Sequence, residues 1–351
     1  MTIRVAVIGY GLAGRGIHSP LISAVDGMQV TSVVTSNPQR AQQAQSDIAG
    51  VTVFPTFDDV LEQAHDYDLV VIATTNSSHV PYALAALERG LHVVIDKPMA
   101  GTLAQAQAVF AAAEKADRTA TVFHNRRWDG DFLTVKGLAE TGQLGKVVTF
   151  QSGFERYRPE LTGRWRETGG PEELPGLLFD LGSHLVDQAI QIWGPVVRVL
   201  THARSVRDVT TSDDDTLILL EHGSGVTSEL HATVFAAVPG PRFRVLGSAG
   251  TATIFGLDEQ EGDLGKGHTP RDEHWGSTRR VVTVCGGDGQ VFEHRVESGQ
   301  WNVFYESVHQ AITNQAAIPV SPTSVLQTVA TLEAAVKSNA LRAWVDVPHI
   351  N

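Results

Sequence analysis

Cysteine is nearly absent from this 351-residue sequence, which contains only Cys285. A single cysteine excludes an intrachain disulfide and a zinc site built from cysteines, and it fits a reducing compartment. The valine and threonine residues immediately before Cys285 predict the end of a strand. We therefore expect a buried thiol with a structural role.

Long apolar runs are also missing. No stretch approaches the ~18 apolar residues that span a bilayer, and the N-terminus lacks the basic and apolar segments of a secretory signal. Basic residues are fewer than acidic ones, 27 against 39, which gives a formal net charge of -12. This balance argues against a nucleic-acid partner. We expect a cytoplasmic protein that binds neither nucleic acids nor membranes.

The first third of the sequence alternates strand-like segments, rich in valine and isoleucine, with helical patterns. The strand-like segments lie at 3–8, 30–35, 51–54, 69–75, 92–96 and 119–123. This alternation is typical of a parallel, doubly wound α/β sheet. Because 351 residues are many for one hydrophobic core, we expect a second domain after it.

Residues 123–351 follow a different pattern. Segment 156–176 is rich in arginine, glycine and proline and has no periodicity. Short strands between 196 and 296, separated by glycine-containing turns, predict an open, mostly antiparallel sheet in an α+β domain. Helical spacing at 301–316 and 322–342 predicts two closing helices. We assign substrate binding and oligomerisation to this second domain.

A glycine-rich pattern closes the first strand. Gly9, Gly11 and Gly14 form Gly-x-Gly-x-x-Gly after a strand and before a helix, the context in which this pattern binds a dinucleotide. The glycines allow a tight turn and let backbone N–H groups approach a pyrophosphate. A glycine-rich turn without a ligand is the alternative. We predict a Rossmann domain over residues 1–122 whose loop contacts the cofactor through Gly9, Tyr10, Gly11, Leu12, Ala13 and Gly14.

The end of the second strand lacks the carboxylate that usually binds the ribose 2′-hydroxyl of NAD. Thr35, Ser36 and Asn37 stand there instead, and Arg40 lies in the first turn of the next helix. Hydroxyl groups, a helix N-terminus and an arginine suit the 2′-phosphate of NADP. The alternative is that Ser36 caps the helix and Arg40 is solvated. We favour NADP and keep NAD open.

Further cofactor contacts are expected at the carboxyl ends of later strands, where ligands meet a parallel sheet. The fourth strand ends at Thr74 and Thr75, and the turn after it adds Asn76 and His79. The fifth strand ends at Lys97, which precedes a proline. A lysine there could bind a substrate oxygen and stabilise its alkoxide. A surface lysine beside a turn is the alternative.

Asp180 and His184 lie four residues apart in an apolar, helix-compatible segment that begins at Gly176. On one helix both side chains emerge from the same face. A neutral His184 could accept the proton of an alcohol while Asp180 orients the ring. A structural pair in the core explains the same residues. Together with Lys97 and the nucleotide loop, the pair predicts oxidation of a hydroxyl by hydride transfer, without a metal ion.

Several polar residues are candidates for the substrate side. Asn125 and Arg127 follow the last strand of the first domain, where they could contact nicotinamide or substrate, although a hinge held by an Arg–Asp pair explains them equally well. Tyr157, Arg164 and Trp165 offer donors and aromatic faces that suit a polyol. We expect Asn125 and these three residues to bind the substrate together with the three catalytic candidates.

These motifs together resemble the Gfo/Idh/MocA family (glucose–fructose oxidoreductase/inositol dehydrogenase), and the resemblance covers essentially the whole chain. The family's Glu-Lys-Pro motif corresponds to Asp-Lys-Pro at 96–98, and its Gly-x3-Asp-x3-His motif to Gly176, Asp180 and His184. The resemblance implies a catalytic triad of Lys97, Asp180 and His184, with a Lys–Pro bond that can be cis. It also implies homodimers or homotetramers that associate through the open sheet.

Within the family, residues 122–134 and 164–167 are similar to the NADP-dependent scyllo-inositol dehydrogenases. This similarity implies interconversion of scyllo-inositol and scyllo-inosose. Two alternatives stay open. One is the same chemistry on another sugar, an aldose or a pyranose; the other is a non-catalytic, nucleotide-sensing regulator. Retention of Lys97, Asp180 and His184 counts against the regulator.

Overall fold

The computed structural model describes residues 2–163, 165–207 and 212–350, with the backbone alone for residues 165 and 166. The first sheet is parallel and has six strands in the order β3-β2-β1-β4-β5-β6. They are β1 (Ile3–Ile8), β2 (Met28–Val34), β3 (Thr52–Phe54), β4 (Leu69–Ile72), β5 (His92–Ile95) and β6 (Ala120–Val122). The predicted doubly wound parallel sheet is confirmed.

Burial on both faces explains the composition of these strands. Every residue of β4 is buried, and so is every residue of β6. A strand covered on both sides favours continuous β-branched and apolar residues over alternation. The chain order reverses between β1 and β4, and in such sheets the crevice at the carboxyl ends of the strands binds the ligand.

Helices connect the strands of the first sheet. A π-helical turn (Gly14–His18) leads into α1 (Ser19–Ser23), and the others are α2 (Pro38–Asp47), α3 (Phe57–Glu62), α4 (His79–Glu88) and α5 (Leu103–Ala116). Helix α2 begins with a proline inside its first turn, as predicted. Its cap is Asn37, whose side chain accepts hydrogen bonds from the backbone N–H groups of Gln39 and Arg40. Ser36 is therefore not the capping residue.

The second sheet has nine strands in the order β14-β13-β12-β11-β7-β10-β9-β8-β15. They are β7 (Val147–Glu155), β8 (Val196–Arg204), β9 (Asp215–His222), β10 (Thr227–Thr233), β11 (Phe243–Gly247), β12 (Gly250–Ile254), β13 (Val281–Gly286), β14 (Val291–Arg295) and β15 (Val345–Asp346). Only β7 and β10 pair in parallel. The predicted open, mostly antiparallel sheet is confirmed.

Seven helices of the described chain accompany this sheet: α6 (Gly130–Thr141), α7 (Trp165–Thr168), α8 (Leu177–Asp180), α9 (Gly182–Trp193), α10 (Gln260–Gly265), α11 (Asn302–Asn314) and α12 (Pro322–Leu341). Helices α11 and α12 are the two predicted closing helices. Over the ranges described, no helix has both the length and the apolar content that a membrane crossing requires.

One face of the second sheet packs against helices, and the other is open. In β9, Thr216 and Ile218 are buried, whereas Leu217 between them is exposed. The same alternation places Val284 of β13 inward and Cys285 outward, where its thiol is free and exposed. The expectation of a buried thiol is therefore wrong, because Cys285 lies on the outward side of its strand.

The two closing helices, α11 and α12, contribute residues to the cores of both domains. Trp301, Phe304 and Val325 are buried in the same hydrophobic cluster as the residues of β1 and β4, whereas Leu332 and Ala335 of α12 belong to the cluster of the second sheet. The C-terminal segment therefore ties the two cores together. The boundary between residues 122 and 123 stays a prediction.

The close approach of Gly14 to Gly9 generates a stability prediction. A Cβ on Gly14 would collide with the carbonyl oxygen of Gly9. The start of the π-helical turn and the glycine-rich loop at residues 9–14, called the phosphate loop below, pack backbone to backbone at this point. Gly14→Ala should therefore lower the free energy of unfolding by about 2 kcal/mol. Gly137→Ala is the matched control, since no described atom lies within 4 Å of its Cβ position in α6.

The control should raise the free energy of unfolding by about 0.5–1 kcal/mol, because alanine has the higher helix propensity. Thermal unfolding of the protein without nucleotide measures both changes. Equal shifts of the melting temperature in the two variants would contradict the predicted backbone contact.

Candidate active site

A cavity of about 330 Å³ lies at the junction of the two domains. Its walls include residues from the phosphate loop, the end of β5, the start of the second domain, and helices α8 and α9. These residues include Leu12, Ala13, His18, Asp96, Lys97, Asn125, Arg126, Arg156, Arg158, Asp180, His184, Asp213 and Glu261. The cavity thus brings together Lys97, Asp180 and His184, as the sequence predicted.

Lys97 connects the domains through two contacts with Asp180. Its ammonium nitrogen lies 2.7 Å from the Asp180 carboxylate oxygen Oδ1, and it also donates to the Asp180 main-chain oxygen at 2.7 Å. The Lys97–Pro98 peptide bond is cis, as the resemblance implied. Lys97 is therefore held by the residue that was expected to orient the imidazole.

Asp180 and His184 do not share one helix. Helix α8 ends at Asp180, and α9 begins at Gly182. No hydrogen bond between Asp180 and His184 occurs among the described residues, and the Nδ1 atom of His184 is buried without a hydrogen-bond partner there. The expectation that Asp180 orients the ring is therefore wrong, because the helix breaks at Leu181 and the Asp180 carboxylate pairs with Lys97.

His184 is a buried imidazole on the cavity wall. Burial lowers the pKa of His184 well below 6.5, and the positive charges of Lys97 and Arg126 lower it further. Phe154 packs nearby, with 6.4 Å between ring centroids. Since Nδ1 is buried, Nε2 is the ring nitrogen that remains available to the cavity. The ring is therefore neutral near physiological pH and able to accept a proton.

Gly176 and Asp213 shape the start of α8. Gly176 has φ 93°, and a Cβ there would meet the Asp213 carboxylate. That carboxylate accepts hydrogen bonds from the Leu178 backbone at 2.8 Å and from the Thr216 hydroxyl. Burial raises the pKa of Asp213 to about 6. Gly176 was part of the predicted motif, whereas Asp213 was not anticipated.

A second polar cluster under the cavity was missed in the sequence. The His18 ring is fully buried, 2.6 Å from the Tyr305 hydroxyl and 3.8 Å from an Asp96 carboxylate oxygen. Burial opposes ionisation of Asp96, but the nearby His18 ring and the Lys97 charge hold the pKa of Asp96 below its ordinary value. The available signal was a histidine one helical turn after Gly14; its partner Tyr305 is 287 residues away.

The phosphate loop has the predicted conformation. Gly9 has φ 95°, and a Cβ there would collide with the backbone of Ala73. Leu12 is exposed and lines the cavity together with Ala13. Tyr10 instead turns into the core, where its hydroxyl donates to Asp47 at 3.2 Å. Only the backbone of Tyr10 is therefore placed for a cofactor contact.

An arginine near the end of β2 has no side-chain partner among the residues that the structure describes. Arg40 is exposed and forms no ion pair or side-chain hydrogen bond with any described residue. Its Nη1 atom lies 3.8 Å from the Cβ position of Gly11. Thr35 accepts a hydrogen bond from the Asn37 backbone at 3.3 Å, and Ser36 is exposed. Arg40 thus extends toward Gly11, and no described residue compensates its charge.

The residues after β4 are only partly placed as expected. Thr74 and Thr75 interact with Ser78 and Ser77, at 2.6 and 3.5 Å between hydroxyl oxygens. Asn76 donates to the Glu173 carbonyl at 2.8 Å, which links the two domains.

His79 differs from the expectation of a cofactor contact. It is 1% exposed, and its Nδ1 atom lies 2.9 Å from the Pro98 carbonyl oxygen. Burial lowers the pKa of His79, so that it is a neutral core group. The ring therefore lies against the turn after Lys97, and the cavity walls do not include it.

Asn125 and Arg127 have different roles. Asn125 is buried and lines the cavity. The Arg127 guanidinium forms a bidentate pair with Asp187, at 2.6 and 2.8 Å, and donates to Ser324 at 2.9 Å. The structure therefore favours the hinge alternative for Arg127, because its Nε and Nη2 groups already donate to residues of α9 and α12.

In the segment around Tyr157, which was expected to bind the substrate, different residues line the cavity. Tyr157 is 61% exposed, whereas Arg156 and Arg158 line the cavity. Side chains alternate along extended backbone, so Tyr157 points away when its neighbours point inward. Of the other two candidates, Arg164 lies outside the described residues, and so does the side chain of Trp165.

Both halves of the chain match one family. Residues 3–124 match GFO_IDH_MocA, described as an oxidoreductase family with an NAD-binding Rossmann fold. Residues 132–253 match the GFO/IDH/MocA C-terminal domain.

Relatives and solved structures cover almost the whole chain. The oxidoreductase YdgJ of Escherichia coli is 38% identical over 349 residues, 97% of either chain. IolW of Bacillus subtilis, named scyllo-inositol 2-dehydrogenase (NADP(+)), is 30% identical over 353 residues, 99% of this chain and 97% of IolW. An oxidoreductase structure from Yersinia pestis has a TM-score of 0.91 at 35% identity and covers 100% of this chain and 98% of its own. The chain therefore belongs to the Gfo/Idh/MocA family of oxidoreductases.

Proposed function

We propose that this protein is an NADP-dependent oxidoreductase that interconverts a ring hydroxyl and a ketone of a cyclic polyol, with scyllo-inositol and scyllo-inosose as the leading pair. The observation that carries the proposal is the convergence of Lys97, Asp180 and a neutral His184 on one cavity beside the nucleotide loop. The printed name of IolW supports the substrate and the cofactor.

The phosphate loop fits a dinucleotide. The nearest described atom to a Cβ on Gly11 is 3.8 Å away, so that a ligand can approach this part of the backbone, while Gly14 closes the turn. Gly9 to Gly14 would hold the pyrophosphate, and Arg40 with Ser36 would hold a 2′-phosphate. When bound, the nicotinamide ring accepts or returns a hydride.

The residues of the cavity account for the proton and the charge. His184 accepts the hydroxyl proton at Nε2 as the alcohol is oxidised, because its pKa is lowered and the ring is neutral. The Lys97 ammonium donates to the same substrate oxygen and stabilises negative charge on it. Asp180 acts on Lys97, holding its nitrogen at 2.7 Å. In the reverse direction, protonated His184 returns the proton.

A second candidate is the same reaction on another sugar, an aldose or a pyranose. Lys97, Asp180 and His184 act on one carbinol and contain no feature that selects the rest of the ring. The relative named D-apiose dehydrogenase, 30% identical over 229 residues, supports this alternative.

Association through the open sheet is part of the proposal. Leu217 of β9 and Val281 of β13 are 41% and 40% exposed on or beside this open face. Exposed apolar groups on a sheet that lacks a covering layer are typical of an interface between subunits. A homodimer or homotetramer would bury them.

The proposed reaction predicts NADPH formation from polyols. Wild-type protein with NADP should oxidise scyllo-inositol, measured as absorbance of NADPH, in a screen that also contains inositol isomers, aldoses and pyranoses. Lys97→Ala and His184→Ala should each reduce kcat by about 100-fold or more. Lys337→Ala is the control, because this exposed lysine only pairs with Glu333.

The outcomes of the screen separate the alternatives. If the protein prefers an aldose or a pyranose, the proposed substrate would change and the proposed mechanism would stand. If the protein binds the nucleotide but no polyol or sugar reduces NADP or NAD, the result would contradict the proposed function and favour a regulator.

Arg40 should determine the choice between NADP and NAD. Arg40→Ala should raise the KM for NADP by about 10–100-fold, since a charge-assisted contact with the 2′-phosphate is lost, and leave the KM for NAD within about threefold. Arg198→Ala, which removes an exposed arginine paired with Glu221, controls for net charge. Equal effects on the two cofactors would refute the phosphate contact.

The lowered pKa of His184 predicts the pH dependence of oxidation. The base is active when neutral, so that kcat/KM falls as the pH decreases through this pKa, and the midpoint of the fall should lie below pH 6.5. Steady-state rates between pH 4 and 9 measure it. In His184→Gln the residual rate should lose this acid limb, whereas His65→Gln, at an exposed surface position, should keep it. A midpoint above 6.5 would exclude a buried, neutral His184 as the base.

A further inference from the structure

Two arginines on the cavity wall have no side-chain partner within the described part of the chain. Neither Arg156 nor Arg158 forms a side-chain hydrogen bond or an ion pair with any described residue. The other basic groups of the cavity are compensated. Lys97 pairs with Asp180, Arg126 with Asp129 and Glu261, and Arg207 with Glu167 and Asp214.

The backbone that carries the two arginines is held on both sides. Arg156 donates to Thr233 at 3.0 Å and accepts from Ala236 at 3.0 Å, and Arg158 donates to Val234 at 2.7 Å. The guanidinium of Arg207 donates to the Arg158 carbonyl at 3.3 Å. Residues two apart on extended backbone share a side, and both arginines line the cavity, Arg156 half-buried and Arg158 exposed.

Charges of both signs surround Arg156. Burial lowers the pKa of Arg156, and so do the neighbouring Arg126 and Arg158, against the opposing effects of Glu261 and Asp180. Glu261 already pairs with Arg126 at 2.7 Å. The Asp213 carboxylate accepts hydrogen bonds from the Leu178 backbone N–H and the Thr216 hydroxyl. Asp180 pairs with Lys97, and Glu167 pairs with Arg207. Each of these carboxylates therefore has a partner already, and among the described residues none of them forms an ion pair with Arg156 or Arg158.

We propose that Arg156 and Arg158 form an anion subsite and that the substrate ring carries an oxyanion substituent, a phosphate or a carboxylate, away from the carbinol that reacts. Guanidinium groups match the geometry of both oxyanions. A hydroxyl of a neutral polyol can accept hydrogen bonds but brings no compensating charge. The inference rests on the proposed reaction at the carbinol, and it replaces the neutral leading pair with a ring that carries an anionic substituent.

Substrate pairs that share a ring test the subsite. The phosphate pair is scyllo-inositol and its monophosphate; the carboxylate pair is D-glucose and D-glucuronate. With the wild-type protein, kcat/KM should be about tenfold or more higher for the anionic member of at least one pair, and this preference should decline as ionic strength rises. The pair that shows the preference identifies the oxyanion.

The variants Arg156→Gln and Arg158→Gln should each reduce the ratio of anionic to neutral kcat/KM by about tenfold. Arg198→Gln, far from the cavity at an exposed pair with Glu221, should leave the ratio unchanged. Calorimetric binding of scyllo-inositol monophosphate and of D-glucuronate to the protein saturated with NADPH gives a readout that does not depend on turnover, and both arginine variants should weaken the binding of the preferred anion.

The outcomes separate this inference from the proposed function. Oxidation of neutral rings with no preference for either anion, or an unchanged ratio in both arginine variants, would overturn the anion subsite and leave the proposed function standing. Arginine-dependent binding of an anionic ring without oxidation of any substrate would support the subsite and contradict the proposed reaction.

Discussion

The ion pair between Lys97 and Asp180 is the contact on which the site depends. Lys97 comes from the nucleotide-binding sheet and Asp180 from the second domain, and 2.7 Å separate their charged atoms. The Lys97 side chain is only 10% exposed, so a missing partner would leave an uncompensated charge in a partly dehydrated setting. The pair therefore fixes the position of the ammonium group and, with it, the relative placement of the two domains at the cavity.

The same pair leaves His184 free for proton transfer. Because Asp180 neutralises Lys97 and makes no described hydrogen bond to the imidazole, the ring keeps a buried Nδ1 and an available Nε2. Burial and the positive charges of Lys97 and Arg126 keep its pKa low. A carboxylate bonded to the ring would raise that pKa and favour the protonated form. The observed pairing therefore suits a base that must be neutral before it reacts.

Local patterns predicted the strands and the glycine loop, whereas the pairing of polar groups depended on contacts that a local pattern does not contain. Buried strands such as Leu69–Ile72 are continuous apolar runs, and Lys97 and His184 lie in the cavity as expected. The helix break at Leu181 was missed because apolar spacing continues through it. Tyr157 was placed on the wrong side, since a segment without periodicity gave no register. His18 has its partner on a distant closing helix.

Reaction and specificity depend on different kinds of constraint. The turn before Asp180 requires a glycine, because Gly176 has φ 93° and a Cβ there would meet the Asp213 carboxylate. The wall at Arg156 and Arg158 is held instead by backbone hydrogen bonds to the end of β10 and to Ala236, which any residue except proline could make. Side chains on this wall can therefore change without moving the backbone, while changes around Asp180 would displace the group that holds Lys97. A fold built in this way can alter the substituents that it accepts and retain the same proton and charge chemistry.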